Sequence, residues 1–228
     1  MCSISQWNKG KDKGQVMSKK EIDKLLSLCA PASDSALKAD VQVFRNCAGS
    51  IGEELHYMLL KMNGGYGFEG ALHFFSADEA CKDLSIERWN SSDLWRSDYK
   101  DLDPLGYFFA EDVFGNQFFI KDEKISTFDP ETGETEEIAD SLNDWASEIM
   151  GDYDFYTGHS LAHEWQEVHG PIPQGSRLLP KIPFVTGGEY EVENLYALDS
   201  VKAMKYRASI ALQIKDMPDG SRINIKID

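Results

Sequence analysis

The chain has 228 residues, 42% of them hydrophobic, with 12 Phe, 9 Tyr and 5 Trp, enough apolar material for a genuine core and against a disordered chain outside the N-terminus. Its net charge of −16 is concentrated: residues 51–158 carry 25 acidic and 7 basic groups, whereas residues 1–50 are net +3 and residues 159–228 net −1. A field of that sign repels phosphate backbones, which disfavours direct nucleic-acid binding, and attracts a basic protein.

No apolar run approaches the roughly 18–20 residues of a membrane helix. Residues 1–17 are polar, lysine-spotted and aperiodic, which predicts a flexible arm. Met1-Cys-Ser-Ile-Ser-Gln-Trp7 lacks the basic start and apolar core of a secretory signal, so the chain is expected to stay in the cytoplasm. Ser18-Lys-Lys-Glu21 has the form of a capping box, and Ile22, Leu25, Leu26 and Cys29 follow at helical spacing until Pro31. Residues 31–40 read as a loop. A second box, Ser50-Ile-Gly-Glu53, precedes Leu55, Met58, Leu59 and Met62 on one helix face, and Asn63-Gly64-Gly65 supplies the left-handed residues that end it. Ala71–Phe75 reads as a strand, and residues 79–99 as partly helical with Trp89, Trp95 and Tyr99 as anchors.

The most informative stretch runs from Gly106 to Ile120. Two aromatic runs flank Glu111-Asp112 and a Gly115-Asn116 turn, which predicts a hairpin. Strands are expected at 125–129 and near 134–138, joined by the acidic turn Asp129-Pro-Glu131-Thr-Gly-Glu134. Carboxylates beside aromatics suit a surface made to be bound, since interface cores favour aromatic residues. The residues expected to meet a partner are Glu111, Asp112, Phe114, Asp129, Glu131, Glu134, Glu136 and Glu137.

Asp140 or Ser141 then caps the clearest helix, with Leu142, Trp145, Ala146, Ile149 and Met150 at helical spacing. His159–His169 reads as a short helix, Ile182–Thr186 as an extended piece, and Asp199 or Ser200 caps a further helix to about Ile214. Asp219-Gly220 turns into Ile223, Ile225 and Ile227, which alternate as a strand does. No linker divides this part from the rest, so residues 159–228 are expected to be a C-terminal α/β extension packed on the same body as residues 18–158.

Other chemistry finds little support. His159 and His163 stand four apart with Glu164 adjacent, so a helix would bring both imidazoles toward one metal. The zinc-hydrolase order is absent, however, and spacing identifies no third ligand. The 129–134 loop lacks the ligand spacing of an EF-hand. The glycines at 64, 65 and 67 follow a helix where a phosphate loop needs them before one. The four cysteines are far apart and read as reduced thiols. No cofactor is expected.

The order of these elements carries a resemblance. A capped helix ending in Asn63-Gly-Gly precedes a strand and Trp89-Asn90 with Trp95. Phe108-Phe-Ala-Glu-Asp112 with Phe114-Gly-Asn116 follows, then a helix containing Trp145. Over about residues 40–150 this resembles the SUKH superfamily, which includes the yeast Smi/Knr cell-wall assembly regulators and many bacterial immunity proteins. The resemblance implies a non-enzymatic α+β domain, with a mixed or antiparallel sheet flanked by helices, and no catalytic residues to carry over. For a bacterial member it implies an antidote that binds a cognate basic toxin, often a nuclease. A regulatory scaffold with several protein partners is the alternative, and a metal-dependent enzyme using His159, His163 and Glu164 is the third reading.

Overall fold

The structure, a computed structural model, describes residues 19–221 with 33 and 219 excepted. The arm expected at 1–17, Ser18 of the first capping box and the strand expected around Ile223–Ile227 lie outside the described residues.

Seven strands form one antiparallel meander whose sheet order is the chain order. They are β1 (Cys29–Pro31), β2 (Gly65–Gly67), β3 (Leu72–Phe74), β4 (Tyr107–Glu111), β5 (Gln117–Lys121), β6 (Lys124–Phe128) and β7 (Thr135–Ala139). The fold is therefore α+β, with an antiparallel sheet. Alternation along the strands sends aromatic rings to both faces. Phe108 pairs with Phe119 across β4 and β5, and the rings of Phe108 and Phe128 meet Trp95 and Tyr99 at 5.1 Å each. Phe109 and Phe118 meet Trp145 on the opposite face, at 5.0 and 5.6 Å. Such edge-on contacts add about 0.5–1.5 kcal/mol each beyond the area they bury.

The first helical layer is α1 (Lys20–Ser27), α2 (Val41–Ala48), α3 (Ile51–Lys61) and, later in the chain, α6 (Leu142–Gly151). The other face is covered by the short α4 (Ile86–Trp89) and α5 (Ser97–Tyr99) with the turn between them. At the end of α3, Gly64 has φ +80°, and a Cβ there would lie 2.7 Å from the Ser76 backbone, so both conformation and space demand glycine. The second capping box does not form. Ser50 is already helical (φ −68°, ψ −33°) and donates its N–H across the fold to Glu123, while Glu53 pairs with Arg45 at 2.6 Å. Helix α6 does start as expected: Ser141 Oγ accepts the Asp144 N–H at 3.0 Å. The buried Glu54 of α3 reinforces it, accepting the N–H groups of Leu142 (2.7 Å) and Asn143 (3.2 Å).

The chain continues through α7 (Tyr153–Thr157), α8 (His159–His169), β8 (Ser176–Pro180), β9 (Leu195–Asp199) and α9 (Ser200–Ile214). β8 and β9 form their own antiparallel pair, and Phe184–Thr186, expected to be extended, is a helical turn. β8 is tied to the hairpin tip, because the Leu178 N–H donates to the Val113 carbonyl at 2.8 Å. Met204, Ala208 and Ala211 of α9 enter the main core. A second core joins Val113 and Phe114 to Trp165 of α8, Leu178 and Leu195. No helix among the described residues is long and apolar enough to cross a membrane.

Candidate functional site

The hairpin between β4 and β5 turns inward. Asp112 Oδ1 accepts the N–H groups of Phe114 and Asn116, both at 2.8 Å, and Oδ2 accepts from the Asn116 side chain at 2.7 Å. A short polar side chain bonding the backbone two residues on is the standard way to fix such a turn. The hairpin is then covered by β8 and α9, each of which brings an arginine. Arg177 Nε lies 2.8 Å from Glu111 Oε1, and His73 Nδ1 lies 3.0 Å from the same oxygen. Arg207 of α9 donates to the Phe114 carbonyl and lies 3.6 Å from Glu131 Oε1.

This corrects half of the sequence expectation. Glu111, Asp112, Phe114 and Glu131 are all buried, so they cannot form an exposed docking face. The reason is physical: two guanidiniums from the last third of the chain neutralise carboxylates that would otherwise need water. Burial alone would push the Glu111 carboxyl up, but Arg177 and His73 more than offset it and hold it at about 2. Burial holds His73 below its ordinary value despite that carboxylate. Asp112 is raised to about 7 by burial, against the pull of Asn116 and both arginines.

The remaining carboxylates open outward. Phe118, Thr127, Glu136 and Ile138, on β5, β6 and β7, floor a cleft of about 530 Å³ that also takes in Asp112, Asp129, Glu131 and Arg207. One wall is Phe155 and Tyr156 of α7; the other is Phe184, Val185 and Tyr190. Phe184 and Tyr190 stack at 3.8 Å and 4°, and Phe114 backs them edge-on at 5.5 and 5.7 Å. Phe155 is 76% exposed and Tyr190 63%. Burial, then the carboxylates of Asp129, Glu131 and Asp112, push the Tyr190 phenol up; burial, Glu148, Glu136 and Asp152 do the same to Tyr156. Both walls therefore stand in a negative field.

Asp129, Glu131 and Glu136 thus meet at one cleft with Asp112, and Phe114 stands behind its wall. Glu134 lies instead in an adjoining depression with Thr132 and Lys215. Glu137 is exposed beside Glu136 on β7, where alternation turns it to the other face of the sheet. Sequence reasoning missed Phe155, Phe184, Tyr190 and Arg207. The aromatic run in Asp152-Tyr-Asp-Phe-Tyr156 was a usable signal for the first; nothing local marked Arg207.

His159 and His163 do not assemble a metal centre. His163 Nδ1 bonds Glu69 Oε2 at 2.8 Å, and His159 Nε2 lies 4.0 Å from Glu69 Oε1. Glu164 is exposed, and no group of three or more His, Cys, Asp or Glu among the described residues could hold a metal ion. The imidazoles pin a turn in which Phe68 and Glu69 have φ of 50° and 56°, a conformation that costs about 1–2 kcal/mol per residue.

Comparison with known proteins adds one fact about the fold. No family model matches the chain, and no curated protein sequence matches it. The crystal structure of Atu4351 from Agrobacterium tumefaciens is similar, with 18% identity and a TM-score of 0.56 over 78% of this chain and 83% of that one. The likeness is one of fold.

Proposed function

We propose that this chain is a non-enzymatic protein-binding module that captures and neutralises a cognate basic toxin. The observation that carries this reading is the cleft between α7 and the 184–190 segment, where exposed aromatic rings stand over carboxylates. Aromatic anchors in a partly desolvated pocket are the usual source of binding energy in protein complexes. The excess of 25 acidic over 7 basic groups in residues 51–158 supports a basic partner, because complementary fields accelerate encounter. The SUKH-like order of motifs belongs to the same proposal and supplies its antidote role.

The test is co-expression with the protein encoded next to this one, reading growth of the host and formation of a complex by size-exclusion chromatography. The expected result is rescued growth and a stoichiometric complex. Growth arrest with the two proteins eluting separately would overturn the reading.

A further inference from the structure

We infer that the cleft between α7 and the 184–190 segment takes an arginine side chain from a peptide segment of the partner. This rests on the protein-binding reading and names the chemistry of the occupant. Four carboxyl groups line the cleft (Asp112, Asp129, Glu131 and Glu136) against the single guanidinium of Arg207. Asp112 and Glu131 are buried, the latter beside Arg207, so the charge the cleft turns outward is that of Asp129 and Glu136. Charge complementarity therefore selects a cation.

The walls select which cation. Tyr190 and Phe184 present a stacked aromatic face on one side, and Phe155 stands exposed on the other. A planar guanidinium lies flat on such faces and forks its N–H groups toward carboxylates, whereas an ammonium is a strongly hydrated point charge that does neither as well. Arg207 is 1% exposed and already engaged, on the Phe114 carbonyl and beside Glu131, so it leaves the outward carboxylates of Asp129 and Glu136 to a cation from outside.

The protein already contains a version of the same arrangement. Arg177 lies against Glu111, with its guanidinium carbon 5.8 Å from the centre of the Tyr66 ring. The cleft repeats that combination of carboxylate and ring, but with the rings exposed and the arginine to come from outside.

The experiment is a titration of isotopically labelled full-length protein with hexa-arginine, hexa-lysine and hexa-glutamate peptides, followed by NMR. Hexa-arginine should give saturable shifts confined to the β5–β7 floor, α7 and residues 184–190. Hexa-lysine should bind at least about fivefold more weakly, and hexa-glutamate should leave these resonances unmoved. Phe155→Ala and Tyr190→Ala, at exposed positions, should each weaken hexa-arginine about tenfold. Glu136→Gln should do likewise, with Glu137→Gln on the opposite face as a control without effect. Equal binding of hexa-lysine, shifts scattered over the surface, or unchanged affinity in Phe155→Ala and Tyr190→Ala would each overturn the inference. Loss of cleft binding with growth rescue intact removes this assignment alone. Arginine binding in the cleft without any rescue keeps it and removes the antidote reading.

Discussion

Glu111 and Asp112 are neighbours in sequence, yet the fold shifts them in opposite directions. Glu111 is held at about 2, because Arg177 and His73 outweigh the cost of its burial. Its contribution to stability is therefore present above its ordinary pKa of 4.5 and lost as pH falls from there toward about 2. Asp112, raised from 3.8 to about 7, has the reverse sign: its contribution is complete below 3.8 and is lost as pH rises through about 7. Glu111→Gln should remove the acid-side loss, seen as a flatter plot of unfolding midpoint against pH below 4.5. Arg177→Met leaves the buried Glu111 charge without its main partner, which typically costs about 3–5 kcal/mol. Adding Glu111→Gln to that variant should restore much of it, measured as a double-mutant cycle by chemical denaturation.

The β5–β6 hairpin is locally unfavourable and tertiary contacts stabilise it. Asp122 and Glu123 both have positive φ, 51° and 59°, as a two-residue type I′ connection requires, yet neither is glycine or asparagine. Glu123 is retained by its bonds to Ser50 at the start of α3, which also displace the capping box that Ser50 would otherwise form. Asp122 is exposed and takes no such part, so Asp122→Asn should stabilise by up to about 1 kcal/mol, read as a higher denaturant midpoint at unchanged slope. Helix α6 is the contrary case. Its periodicity and Ser141 cap were legible in the chain itself, and its observed span of Leu142–Gly151 follows them. Helix α2 was not anticipated, although Asp40 caps it by accepting the Gln42 N–H at 2.8 Å. Its single buried pair, Phe44 and Ala48, gives too weak a periodic signal to read without the neighbouring α3.

At the scale of the molecule, the negative charge divides into an internal share and an external one. Glu54, Glu111, Asp112 and Glu131 are buried and organise the fold, while Asp129 and Glu136 stand at the cleft and Glu134 and Glu137 face solvent. Only the external share steers an encounter. Association with the proposed basic partner should therefore slow about tenfold or more between 0.05 and 0.5 M salt while dissociation changes little, a contrast that stopped-flow kinetics would measure. The amino-acid order by itself determined the antiparallel succession of β4 to β7, the helices α6, α8 and α9, and the acidic bias of the middle segment. These follow from periodicity, turn residues and charge, all of which act over a few positions. Which carboxylates meet solvent was decided by the tertiary structure alone. That choice depends on Arg177 and Arg207, which arrive from β8 and α9 to lie over a hairpin far earlier in the chain.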